Sequence, residues 1–216
     1  LKGLQGQRFM KWGDNNFKFS RPIRWILSLY NDEILNLSLD EVHSDLKIGR
    51  ISRGHRLSRS DIKINDSKEY FEVLNENGVI AKREDRKTNI ENLIKSASEK
   101  LKLIPDFDAE LLDELTDLVE CPNLIIGSFS NAYLTLPAEV LCTVMKNHQR
   151  YIPLFSKTKD LNALDITSNG FLSTNFICIS NGLEKSKEII KKGNEKVLKA
   201  RFADAKFFIE GDKSTT

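Results

Sequence analysis

Along this 216-residue chain, apolar positions spaced by three and four residues give way repeatedly to shorter runs spaced by two. Ser20-Arg-Pro-Ile has the form of a helix start, a capping serine with proline in the first turn, and Ile23, Ile26, Leu27 and Tyr30 follow at helical spacing. From Glu33 to Leu39 the apolar residues Ile34, Leu35, Leu37 and Leu39 predict a half-buried strand. Val42 to Arg56 is polar and punctuated by glycine, which fits a strand pair or an exposed loop. A helix is expected from Ser67 to Asn75, stopped by Asn77-Gly78 and followed by a short buried segment, Val79-Ile80-Ala81. A longer one runs from Arg83 to Leu101 with Ile90, Leu93, Ile94 and Ala97 facing inward. Past Pro105, residues Asp108 to Val119 place Leu111, Leu112, Leu115, Leu118 and Val119 on one face. Leu124-Ile-Ile is a buried strand, and Pro137 opens a further helix. Tyr151–Phe155 and Phe171–Ser180 read as strands, and two helices, Glu184–Lys191 and Asn194–Glu210, are divided by Gly193. The interleaving predicts an α/β fold.

Charge changes this picture more than composition does. The net charge of +2 conceals three blocks: residues 1–66 hold 12 Lys/Arg against 8 Asp/Glu, residues 103–145 hold 8 acids and no Lys or Arg, and residues 146–216 hold 13 basic against 8 acidic. Two basic blocks can face a polyanion, although solvated surfaces of differing sign give the same count. No apolar run approaches the length of a membrane span, and the N-terminus lacks the layout of a signal peptide. Cys121, Cys142 and Cys178 are odd in number and far apart, which fits reduced thiols. The start at Leu1 rather than Met fits an interior piece of a longer chain.

Three stretches carry candidate chemistry. In "MKNHQRYIPLF", residues 145–155, the spacing puts Thr143, Lys146, Asn147 and Arg150 on a wet helix face, where Lys146 and Arg150 beside Tyr151 could grip phosphates. His148, four residues after Val144, reads as a hydrogen-bonded histidine at the edge of the core. In "RISRGHR", residues 50–56, Gly54 could let backbone amides approach a phosphate while Arg53 and Arg56 supply forked donors; a solvated turn would look the same. In "KKGNEKVLKARFADAKFF" the apolar face is Val197, Leu198, Phe202, Ala205 and Ile209, and Lys192, Lys196, Lys199 and Lys206 fall mostly outside it. Such a helix is either a solubilising surface or a grip on a polyanion. The sequence has no G-x-S-x-G, no phosphate-binding glycine loop and no H-E-x-x-H, and His43, His55 and His148 are scattered. We expect no catalytic and no metal residue here.

The stretches "MKWGDNNFKFSRPIRWILSLYNDE", "RGHR", "LPAEVLCTVMKNHQRYIPLF", "FICISNG" and "KGNEKVLKARFADAKFF" resemble, in order and over nearly the whole chain, the β subunit of bacterial-type heterotetrameric glycyl-tRNA synthetase. The resemblance implies an α/β module over residues 1–183, a mixed sheet with packed helices like the B3/B4-type module of the phenylalanyl enzyme's larger subunit. Residues 184–216 would be a basic helical segment leading to a further domain. It implies cytoplasmic tRNA(Gly) binding and assembly with an α subunit, as an α2β2 tetramer, in a glycine–tRNA ligase. ATP and magnesium would serve the complete enzyme at the α subunit, with no cofactor held by this chain. The tRNA-facing residues would come from Arg53, His55, Arg56, Lys146, His148, Arg150, Tyr151, Lys192, Lys196 and Lys199. Two alternatives stay open: an editing-type deacylase acting on mischarged tRNA, and a structural module contacting the α subunit through the acidic block.

Overall fold

A computed structural model describes residues 6–12, 18–36, 48–58, 60–156 and 171–215. The chain divides into two compact units, Leu1–Val79 and Ile80–Thr216.

The first unit is built from short paired strands and one helix. Strands β1 (Met10–Lys11) and β2 (Lys18–Phe19) pair antiparallel, as do β4 (Leu29–Tyr30) and β5 (Glu33–Ile34); β3 (Ile26–Leu27) pairs parallel with β6 (Ile48–Gly49). Strands β7 (Ile51–Arg53) and β8 (Asp61–Lys63) form an antiparallel hairpin. Along that hairpin Ser52, Ile62 and Ile64 are buried while Ile51, Arg53, Asp61 and Lys63 point outward, the period of two that a half-buried ribbon requires. A turn of 3-10 helix at Ser67–Glu69 follows, capped by Asp66 and Glu69 reciprocally, and leads into α1 (Tyr70–Glu76).

The helix expected after Ser20 is absent, because Ile26 to Tyr30 form the strands β3 and β4. Ser20 and Pro22 satisfy local capping rules, but Ile26 and Leu27 gain parallel partners at Ile48 and Gly49, and Asn31 at φ 51° turns the chain into a hairpin. Pairing outweighs a capping signal. Of the strand expected over Glu33–Leu39, Glu33–Ile34 form β5 and Leu35–Asn36 do not pair in it; residues 37–47 lie outside the described set, as does most of the loop expected between Phe155 and Phe171.

The second unit is a sheet between two layers of helix. Helix α2 (Arg83–Leu101) and α3 (Ala109–Leu118) flank the two-residue strand β9 (Ile104–Pro105). Then come β10 (Pro122–Ser128), α4 (Ala138–Thr143, continuing through a π-helical turn at Val144–His148), β11 (Tyr151–Phe155), β12 (Leu172–Asn181) and α5 (Lys187–Thr215). The sheet order is β10-β12-β11-β9, antiparallel throughout.

Alternation along the central strands sorts the core into two layers. Tyr151, Phe155, Phe176 and Cys178 join Leu141 and Met145 of α4 and Leu198 and Phe202 of α5. Ile152, Leu154, Ile177 and Ile179 join Ile90 and Ile94 of α2 and Leu111, Leu112 and Leu115 of α3. Because side chains of a strand alternate, one buried sheet can serve both layers. Gly127 keeps the first layer tight: a Cβ there would stand 2.3 Å from the ring of Phe176.

Several sequence expectations are corrected here. Leu118 is 59% exposed, since α3 ends there and Val119 turns into the core instead. Val79-Ile80-Ala81 is half-buried rather than buried. Gly193 does not divide the terminal helix; it sits on the open side, where a Cβ would meet nothing within 4 Å, and α5 continues through it. Val197 is exposed rather than part of the apolar face.

Candidate nucleic-acid interface

The charged candidates fall into three settings. The first is the end of α4. Its π-helical turn displaces the last residues outward, and Arg150 follows at φ 55°, the left-handed conformation that closes a helix. The chain can then enter β11, whose five residues are all buried. Tyr151 is therefore a core residue, 6% exposed and stacked on Phe176 with ring centres 4.9 Å apart. Burial drives its phenol pKa upward. His148 is exposed rather than tucked against the core, because the wider turn rotates it off the buried stripe of Leu141, Val144 and Met145.

Lys146 and Arg150 do share the wet face, and both meet acids. Lys146 Nζ lies 3.6 Å from Asp106 and 3.3 Å from Asp108, while the Arg150 guanidinium donates to Glu114 at 2.8 and 2.7 Å and to the carbonyl of Asn147 at 3.2 Å. The acidic block is thus largely internal to the second unit. Arg83 bonds Asp117 at 2.8 Å and Asp113 at 3.0 Å, and Lys87 reaches Asp113 at 2.8 Å. Arg86 donates to the carbonyls of Ile80, Ala81 and Thr116. Lys87 and Arg83 hold the Asp113 carboxyl below its ordinary value, Arg83 does the same for Asp117, and the Leu111 amide, then Lys146, for Asp108. Arg83 and Lys87 are one helical turn apart, as are Asp113 and Asp117, so this pairing was open to a reading of spacing.

The second setting is the RGHR turn of the first unit. The Gly54 amide donates to the Ser60 carbonyl at 3.1 Å and the His55 amide to the Asn77 carbonyl at 2.9 Å, so both amides of the expected phosphate cradle are engaged within the fold. His55 is 1% exposed, packed against Gly78, with Nδ1 accepting from the Leu57 amide at 3.3 Å. Gly54 is needed for close packing: a Cβ there would stand 2.9 Å from Ser60 Oγ and 3.0 Å from the Asn77 carbonyl. Arg53 pairs with Asp61 at 3.4 Å across the hairpin and lies over Trp25, its guanidinium carbon 4.7 Å from the ring centre. Arg56 is exposed and has no ion pair among the described residues.

The third setting is α5. Leu198 and Phe202 are fully buried beneath the helix, Asn194 donates to Cys178 Sγ at 3.1 Å, and Glu195 accepts from the amide and hydroxyl of Ser128 at 2.9 and 3.2 Å. Burial pushes the Cys178 thiol up to about 12, against the opposing pull of Asn194. These contacts fix the rotation of the helix. Lys192, Lys196 and Lys199, at i, i+4 and i+7, are consequently exposed on one side with no ion pair among the described residues. The nearest acid in sequence, Glu195, is held by β10.

The fold thus defines a mixed α/β protein in which five of the eight acids between residues 103 and 145 pair with lysine or arginine, and in which three lysines of the terminal helix have no ion pair among the described residues. The chain belongs to the glycyl-tRNA synthetase β-subunit family, whose model matches residues 1–216. It is 44% identical over 210 residues to the glycine–tRNA ligase β subunit of Trichodesmium erythraeum, covering 97% of this chain and 28% of the relative. Identity to the β subunits of Dictyoglomus turgidum and Clostridioides difficile is 40% and 38% over 213 residues each, covering 98% of this chain and 29% of theirs. The chain spans under a third of the length of these relatives. Among the described residues no helix is long and apolar enough to cross a membrane.

Proposed function

We propose that this chain is a tRNA-holding part of a glycine–tRNA ligase β subunit, acting in the cytoplasm with an α subunit in an α2β2 assembly. The observation that carries this reading is the row of Lys192, Lys196 and Lys199, exposed on a helix anchored to the core and without an acidic partner among the described residues. Such a row binds phosphates without reading bases, which suits holding tRNA(Gly) while the ester bond forms elsewhere. Arg56 adds a cation of the same kind. Lys146 and Arg150 contribute only by exchanging their carboxylate partners for phosphate, and Asn147 and His148 offer exposed polar groups beside them. The four-stranded sheet with helices on both faces is compatible with a B3/B4-type module.

ATP and magnesium belong, in this reading, to the α subunit. The carboxylates of Asp106, Asp108, Asp113 and Asp117 each face a lysine or arginine, an arrangement unsuited to holding a cation, so no ATP step is assigned to this chain. The test is lysine acetylation of the complete enzyme with and without tRNA(Gly). Protection of Lys192, Lys196 and Lys199 by the tRNA is expected; unchanged acetylation at all three would overturn the proposal.

A further inference from the structure

The outer face of the first unit carries an arrangement that lysine rows do not. Trp25 is 40% exposed immediately before β3, with the guanidinium of Arg53 lying over its ring. Arg53 also pairs with Asp61, and this pair is itself more than half exposed, so it stabilises little and exchanges readily with another anion. Ile51 and Lys63 are directly paired across the hairpin and point to the same outward face as Arg53. Arg21 and Arg24, both exposed, precede Trp25 in sequence, and Arg56 is exposed in the turn after β7.

We propose that Trp25, backed by Arg53, is a stacking platform for an unpaired RNA base, with Arg24, Arg56 and Lys63 taking the neighbouring phosphates. The exposed part of the indole, with a guanidinium beside it, offers a base both an aromatic face and a cation. Every base has a π face, so the platform accepts single-stranded RNA without demanding a sequence. A duplex offers no free base face and would not use it. Asp61 is the one acid on the ribbon's outer face among the described residues, and it occupies Arg53 until a phosphate competes for it.

This inference rests on the tRNA-holding reading above, but it fails separately. Tryptophan fluorescence of the chain is followed during titration with an eight-nucleotide oligouridylate, with tRNA, and with inorganic polyphosphate as a purely ionic control. Of the two tryptophans, Trp12 is half-buried, its Nε1 donating to the Phe19 carbonyl at 3.0 Å, so the titration is run on Trp12→Phe, where quenching by RNA reports on Trp25. Oligouridylate is expected to quench, and polyphosphate not to. Trp25→Ala is expected to weaken oligouridylate binding about 5- to 100-fold, with Trp25→Phe keeping most of the affinity. Should RNA bind without quenching, or should polyphosphate quench equally, the platform is refuted and the lysine row stands. Should neither the chain nor the complete enzyme bind tRNA, both readings fall. Quenching in Trp12→Phe, where Trp25 is the one indole left, decides the matter even if Trp25→Ala does not fold.

Discussion

Replacing Lys192, Lys196 and Lys199 together by glutamine puts the lysine row to a quantitative test. The three residues span seven positions of α5, about 10 Å at the helical rise of about 1.5 Å per residue, a reach sufficient for neighbouring phosphates. Each phosphate contact contributes about 0.7 to 0.9 to the slope of log affinity against log salt. Three lost contacts flatten that slope by about 2 to 2.7, so between 50 and 200 mM salt the wild-type chain should lose about 20- to 40-fold more tRNA affinity than the variant. Glutamine has nearly the helix propensity of lysine, and the three side chains are exposed and outside any ion pair among the described residues, so the melting temperature should not move. The assay is filter binding or fluorescence anisotropy with labelled tRNA(Gly) across a salt series. Equal slopes for the two proteins would refute the row as a phosphate contact, whatever their absolute affinities.

Three further outcomes follow from the geometry. Gly127→Ala, which drives a Cβ to 2.3 Å from a fully buried Phe176 ring, should destabilise the second unit by at least about 1–3 kcal/mol in urea unfolding; an unchanged midpoint would mean that the two helix layers can shift apart. Arg150→Gly preserves the left-handed turn while removing a half-exposed ion pair and should alter stability by no more than about 1 kcal/mol, whereas Arg150→Val should cost at least about 1–2 kcal/mol more. Acid should weaken the second unit in a defined direction. The carboxyls of Asp108, Asp113 and Asp117 sit below the ordinary value of 3.8 in the folded chain, so the stability they add is complete above that value and is lost as pH falls through the lowered ones. Urea midpoints measured downward from pH 5 should fall in that window, and less so in Asp113→Asn; a midpoint insensitive to Asp113 would contradict the pairing.

How much could be read from the sequence depended on element length. Helix α2 carries five apolar residues over nineteen positions, four of them on the expected inward stripe, and β11 is a run without a polar residue, so both were legible with their boundaries. The strands β3 and β4 were not, because two-residue pairings leave no periodic trace and Ser20-Arg-Pro imitates a helix start. The site was legible in composition rather than in geometry. Lysines at 192, 196 and 199 stand out in any helical projection, but nothing in "KNHQRY" says that Arg150 turns back to Glu114, thirty-six residues earlier, or that the turn before it widens and exposes His148. His55 is a candidate RNA contact in the sequence because it lies between arginines; only the contact with Asn77 and Gly78 makes it a core residue. Trp25 drew no attention as part of an expected helix, and on a strand-flanking segment beside Arg53 it becomes part of a surface.

The division of labour is tested most directly in the complete ligase carrying Lys192→Gln, Lys196→Gln and Lys199→Gln. Steady-state charging of tRNA(Gly) and glycine-dependent exchange of pyrophosphate into ATP are measured side by side. A raised KM for tRNA with unchanged exchange is the predicted result. An unchanged KM for tRNA, or a loss of exchange activity, would contradict the account.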